Sequence, residues 1–388
     1  MKTEWLKKAV LGLMAGSLLL VGGAGSVHAQ DEIVIGGNLE LTGNASAYGA
    51  PAAQALEMLV EEVNAAGGIL GGKQLKAEII DNQSDLTESA SIATRLADSE
   101  AVGIIGPTAT GVTKAAIPVT NRAGVANIFA ASTGDGLTLD ESGSVLEYIF
   151  RVCFEDSYQG LAAGTYASKE LGFKKAYIIT DQALEYSMAL ADAFTETFTR
   201  NGGEIVGTQA YQSGDTDFSA ILSGLLGQDL DLIYIPGYYT ETGLIIKQAR
   251  ELGITAPIMG GDGYHSETLM ELAGKENATD IYFTTHFSLE DEDPKVQTFI
   301  QNFEAKFGNK PDTFSALGYD AGSLLVDAIE RAGSTDRDAI QKALAETKDF
   351  AGITGTFSID EQHNPTKPTL MLKLEQGEVA DIQEASAE

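Results

Sequence analysis

The chain has 388 residues and carries 25 Lys+Arg against 56 Asp+Glu, a formal net charge of −31 at pH 7. That excess sets aside nucleic acid and anionic membrane surfaces as partners. With one cysteine, Cys153, there is no internal disulfide, and the length exceeds what one core usually serves, so two domains are expected.

Residues 1–29 read as a signal peptide: Lys2, Lys7 and Lys8 open it, an apolar run follows over 9–21, and Val27-His28-Ala29 offers a small-residue cleavage site. The apolar run is shorter than the about 20 residues that span a bilayer, and no cysteine follows for lipid attachment. The reading is an exported, periplasmic chain cleaved near Ala29. Loss of the leader removes three lysines and one glutamate and moves the charge from −31 to −33. The carboxylates are spread along the chain, which suits a saline medium that screens their repulsion.

From Glu32 onward strand and helix alternate. A strand is predicted over 32–38, a loop over 43–51, and a helix over 52–66 with Leu56, Leu59, Val60 and Val63 on one face, stopped by Gly67-Gly68. A strand over 75–81 and a helix over 88–98 follow. The next stretch organises the whole chain: strand 101–105, helix 112–123 and strand 125–129, with the small and hydroxylated loops Gly106-Pro-Thr-Ala-Thr110 and Ala130-Ala-Ser-Thr133 at the strand ends. In open α/β sheets ligands sit outside those ends. Thr110, Ser132 and Thr133 offer hydroxyls and free N–H groups there, and the helix amino end favours an anion. The other reading is a capped helix between two buried strands.

After an irregular 134–145, an apolar segment at 146–154 can cross between lobes, and it encloses Cys153 as a buried small hydrophobe. A second alternating set runs through helix 160–171, strand 175–180, helix 187–201, strand 203–211, helix 218–226, strand 230–236, helix 243–252, strand 256–260 and strand 280–285. Helices over 295–307, 315–332 and 337–347 return to cover the first lobe, and short strands at 355–359 and 369–374 end the pattern near a Gly377 turn. The fold class is α/β, two doubly wound Rossmann-like lobes joined by a multi-strand hinge. Lobe 1 is assigned residues 30–151 and 286–358, and lobe 2 residues 152–285 and 359–388. Such lobes form a cleft that closes by hinge motion.

Gly67-Gly-Ile-Leu-Gly-Gly72-Lys73-Gln74 nearly spells a P-loop, but Gln stands where Ser or Thr should hold Mg²⁺ and the motif follows a helix. It reads as a helix stop and turn. His265, His286 and His363 lack metal-ligand spacing, and no nucleophile-elbow or dinucleotide fingerprint occurs, so neither metal nor cofactor is expected. Three further strand ends carry Asp181 to Tyr186, Gly237-Tyr238-Tyr239 and Gly261-Asp262-Gly263-Tyr264. Each suits an ordinary turn. Together they place rings and an acid where a second lobe would face Thr110 and Thr133.

With these residues in place, the chain resembles the periplasmic substrate-binding proteins of branched-chain (hydrophobic) amino acid ABC transporters, which have the type I periplasmic-binding-protein fold. Leu41-Thr42-Gly43 with Tyr48-Gly49 looks like the first pocket loop, Thr110 stands at the carboxylate-binding hydroxyl, and Ala131-Ser132-Thr133 matches the triplet that holds both ends of the amino acid. Tyr186 and Tyr238 fall at second-lobe aromatic positions, Asp262 at the acid that pairs with the ammonium, and Phe314 at a side-chain-pocket aromatic. Relatives often carry Glu where this chain has Asp262, and the disulfide of some is absent. Thr108 and Ala109 are small and line the side-chain pocket. The resemblance implies a monomeric, non-enzymatic receptor that hands a leucine-type amino acid to a membrane permease. The same fold also takes aromatic acids, amides or urea. From other classes, an exported hydrolase with a dispersed triad and a sensory ectodomain are the alternatives.

Overall fold

The computed structural model describes residues 32–385, so the 1–29 leader lies outside the described residues. Buried aliphatic residues build the first sheet from β1 (Ile33–Leu39), β2 (Leu75–Asp81), β3 (Ala101–Ile105), β4 (Ala126–Phe129) and β5 (Ile149–Arg151). All pairings are parallel and the order is β2-β1-β3-β4-β5. Its crossovers include α1 (Ser46–Ala65), α2 (Leu86–Ala97) and α3 (Thr110–Ala123). Local chemistry sets their ends: the Asp85 carboxylate accepts from the N–H groups of Thr87 and Glu88, and Gly124 ends α3 in the left-handed region.

The chain then passes into α4 (Asp156–Thr165), extended by a π-helical turn at Tyr166–Glu170, and into a second sheet. That sheet comprises β6 (Lys175–Asp181), β7 (Glu204–Tyr211), β8 (Leu232–Tyr234), β9 (Ile258–Gly260) and β10 (Ile281–Thr285) in the parallel order β7-β6-β8-β9-β10. This repeats the strand order of the first sheet. Between its strands lie α5 (Glu185–Arg200), the short α6 (Ser219–Ser223), α7 (Tyr239–Glu251) and α8 (Glu267–Ala273).

Helices α9 (Pro294–Phe307), α10 (Thr313–Ala332) and α11 (Arg337–Ala345) follow β10; α9 and α10 pack on α1, and α10 and α11 pack on β3 and β4. A capping box between Asp312 and Ser315 starts α10. A small sheet of β11 (Phe350–Ala351), β12 (Thr356–Ile359) and β13 (Pro365–Thr366) precedes β14 (Thr369–Glu375) and β15 (Glu378–Ala385), which extend the second sheet antiparallel beside β10. Three connections therefore join the two sheets, after β5, after β10 and before β14. Among them Arg151 is buried: its Nε donates to Asn364 Oδ1 at 2.6 Å, one terminal nitrogen donates to the Gly134 carbonyl at 2.8 Å, and the other pairs with Glu155.

Three expectations need correction. Residues 43–51 are not all loop, because α1 begins at Ser46 and takes Pro51 into its interior. Proline removes one backbone bond, and the burial of Tyr48, Ala52, Ala53 and Ala55 on the same helix outweighs that loss. The helix expected over 218–226 is a single turn, Ser219–Ser223. Strand β15 was not anticipated because its residues are mostly polar and exposed, leaving no apolar alternation to read. The Gly-rich stretch is a turn, closed by an Ile69–Lys73 bridge. Among the described residues no helix is long and apolar enough to cross a membrane.

Candidate functional site

Both sheets have the order in which the chain reverses direction beside the first strand, and ligands settle at that switch point. In the first sheet it lies between β1 and β3. There the loop after β3 delivers Thr108 and Thr110, the loop after β4 delivers Ala131 and Thr133, α1 brings Tyr48 and α10 brings Phe314. In the second sheet the ends of β6, β8 and β9 lead to Tyr186, Tyr238 and Asp262-Gly263. These ten residues line one pocket between the two sheets.

Aromatic packing closes the apolar walls. The Tyr48 ring lies 4.3 Å from Phe314 and meets Tyr238 and Tyr239 edge-on, each at 5.2 Å between centroids. Across the gap the Tyr48 hydroxyl donates to the Gly263 carbonyl at 3.0 Å and accepts from the Tyr239 N–H at 3.2 Å. Lys114 and Glu185 pair at the rim. The two lobes therefore touch through named polar contacts. Burial keeps the phenols of Tyr48 and Tyr186 protonated by pushing both well above the ordinary tyrosine range.

The polar ends differ in chemistry. Thr110 Oγ1 accepts from the Gly134 N–H at 3.2 Å, which leaves its own proton to donate. From the second sheet, Asp262 is 2 % exposed, and its Oδ1 accepts from the Tyr186 hydroxyl at 2.9 Å and from Gln159 Nε2 at 3.2 Å. Its Oδ2 has His286 Nε2 at 3.7 Å. Burial pushes the His286 imidazole down to about 4, so it is neutral near pH 7. A hydroxyl donor, a carboxylate and aromatic rings thus line one pocket.

A family model described as periplasmic binding protein matches residues 32–378. The chain belongs to that family. It is 30% identical to the Leu/Ile/Val-binding protein homolog 3 of Brucella melitensis over 366 residues, 94% of this chain and 96% of that one. Among solved structures, it is similar to the branched-chain amino acid transporter substrate-binding protein of Streptococcus pneumoniae in complex with isoleucine. That likeness has 38% identity and a TM-score of 0.87, and covers 92% of this chain and 100% of that one. A leucine-binding protein of Thermotoga maritima is similar at 35% identity and a TM-score of 0.83, with 91% and 99% covered.

In this periplasmic binding protein, nine of the eleven residues singled out from sequence line one cavity: Tyr48, Thr108, Thr110, Ala131, Thr133, Tyr186, Tyr238, Asp262 and Phe314. Ala109 and Ser132 do not line it. The Ser132 hydroxyl turns inward to the Pro107 carbonyl at 3.0 Å and to Thr113, so it braces the loop. The N–H groups of Thr108 and Ala109 are occupied by the Glu40 carboxylate. Cys153 is buried, with its thiol pushed up to about 12, as a core residue would be.

Gln159, Asp156 and Glu40 escaped the sequence reading. Gln159 ties the acid to the scaffold: its Oε1 accepts from the Asp262 N–H at 3.2 Å and from the Thr284 hydroxyl at 2.6 Å. Asp156 accepts from Gln159 Nε2 at 3.2 Å, and burial, reinforced by the charge of Asp262, pushes its carboxyl well above the usual range. It holds its proton and adds no second charge beneath the cleft. No spacing signal marks these residues, because they act through contacts with strand ends distant in the chain: Gln159 from α4 with Asp262, and Glu40 with Thr108 and Ala109.

Proposed function

We propose that this binding protein captures a branched-chain or other hydrophobic amino acid between its lobes and delivers it to an ABC-type membrane permease. One observation carries the reading: Thr110 and Asp262, delivered by different sheets, line one pocket together with the rings of Tyr48, Tyr186, Tyr238 and Phe314. The carboxylate of the amino acid takes the Thr110 proton and the loop near Thr133, and its ammonium pairs with Asp262 and Thr133. Charge-assisted hydrogen bonds contribute about 1.5–3 kcal/mol each. Three or four of them, less the cost of ordering and closure, match the about −8 kcal/mol of micromolar affinity. The relatives named for Leu/Ile/Val binding and the neighbour holding isoleucine support the same class. Binding and release complete the task, so the protein acts as a receptor in the periplasm and its leader directs export.

Calorimetric titration with leucine, isoleucine, valine and benzoate tests this. Micromolar binding of the amino acids with none of benzoate is the expected result, since an anion without an ammonium leaves Asp262 unpaired at a cost. Asp262→Asn should weaken leucine about 10- to 100-fold. Unaltered leucine binding in that variant would sink the ammonium assignment, and turnover of the ligand would sink the receptor reading.

A further inference from the structure

Glu40 is the first residue after β1, and Thr108 and Ala109 follow β3, so a buried acid sits at the switch point of the first sheet. Three donors converge on its two oxygens. The Thr108 N–H reaches Oε2 at 3.0 Å, the Thr108 hydroxyl reaches Oε2 at 2.7 Å, and the Ala109 N–H reaches Oε1 at 3.1 Å. Burial raises this acid above the ordinary carboxylate range, and the three donors work against that by favouring the ionised form, which accepts at every site. The acid is held from behind as well: a Cβ at Gly49 would fall 2.3 Å from the Glu40 carbonyl oxygen, so α1 presses directly on its backbone.

Thr108 is therefore a wall of the cleft whose N–H and O–H protons are both spent on Glu40. Ala109, which precedes the first residue of α3, has spent its N–H there too. A resident carboxylate thus satisfies this amino end of α3. We propose that Glu40 is a specificity-determining residue that strips hydrogen-bond donors from the Thr108 wall, so the cleft takes aliphatic side chains and refuses those ending in a carbonyl or carboxylate. This deepens, and rests on, the amino acid reading above. A side-chain acceptor entering there loses its water, finds no donor and meets the negative charge of Glu40. An aliphatic branch loses nothing. Glu40 acts through Thr108 and so is a positioning residue for it.

Leucine, asparagine and aspartate share one branched side-chain shape and differ in polarity and charge. Calorimetry on the wild-type protein should show leucine bound at least 100-fold more tightly than either. In Glu40→Gln, the amide oxygen still accepts while Nε2 donates to Thr108 Oγ1, releasing the hydroxyl proton toward other partners. The leucine-to-asparagine ratio should then narrow at least fivefold, and leucine-to-aspartate further, because the charge is also gone. A purely structural role for Glu40 would weaken all three ligands alike and leave both ratios in place, which overturns the proposal if leucine is still bound. Asparagine or aspartate bound by the wild type within tenfold of leucine overturns it too, and that measurement needs no variant to fold. Wild-type protein that binds none of the three would defeat the amino acid reading itself.

Discussion

Thr110 and His286 show how a single atom's partner decides what a residue can do. Because the Gly134 N–H already occupies a lone pair on Thr110 Oγ1, the hydroxyl is turned into a donor toward the cleft. Thr110→Val keeps the shape and removes that donor, so leucine affinity should fall about 10- to 100-fold by calorimetry, and thermal denaturation should also show a loss of about 1–3 kcal/mol because the buried Gly134 N–H loses its acceptor. His286 has both ring nitrogens buried without a hydrogen-bond partner and stacks on Phe154 at 3.6 Å. Its folded pKa, near 4, lies below the unfolded value of 6.5. As pH falls below 6.5 the unfolded chain takes up a proton that the folded protein refuses, and stability drains away until pH 4 is reached. The shift corresponds to about 3 kcal/mol. His286→Gln should therefore lose less stability than the wild type between pH 6.5 and pH 4 in urea denaturation, and identical losses would show that this histidine is not the source.

At the scale of elements, the packing of α10 on α1 is what brings Phe314 against Tyr48. A Cβ at Gly318 would lie 2.6 Å from the Ala52 Cα, so the two helices meet backbone to backbone there. Helix propensity alone predicts that Gly318→Ala stabilises by nearly 1 kcal/mol. Packing predicts the reverse, since backbone cannot yield as a flexible side chain does, and overpacking costs about 1–3 kcal/mol. Packing should win, and chemical denaturation of Gly318→Ala should report a net loss. Most of these elements were legible beforehand because their apolar periods are strong. Strand β3 was read to the residue, being five buried residues between sharp breaks. Helix α1 was misjudged at its start because Pro51 signals a boundary locally and only tertiary burial overrides that signal.

For the molecule as a whole, the cavity belongs to neither lobe alone. A ligand spanning Thr110 and Asp262 binds the closed folded form and not the unfolded chain, so it must stabilise the protein by mass action. Leucine at 100 times its dissociation constant should add about 2.7 kcal/mol and raise the melting temperature, as calorimetric scanning would show. The uneven charge acts over the whole surface. With 56 acidic residues against 25 basic ones, added salt should raise the melting temperature of the unliganded protein by screening repulsion. No rise between 0.05 M and 0.5 M salt would mean that the carboxylates are already too far apart to matter.

The sequence by itself determined the class of fold and the strand ends that carry the chemistry, because alternation of strand and helix and the small, hydroxylated loops are local properties. It also pointed to Thr110 and Asp262, which sit where such loops must open. The tertiary structure alone decided which of those groups face inward. Ser132 turned away to Pro107, the N–H groups of Thr108 and Ala109 were already taken, and Gln159 and Glu40 joined the site from elements distant in the chain. A hydroxyl or an amide declares its presence in the sequence, but the partner that consumes its proton is fixed only when two separate strands are brought side by side.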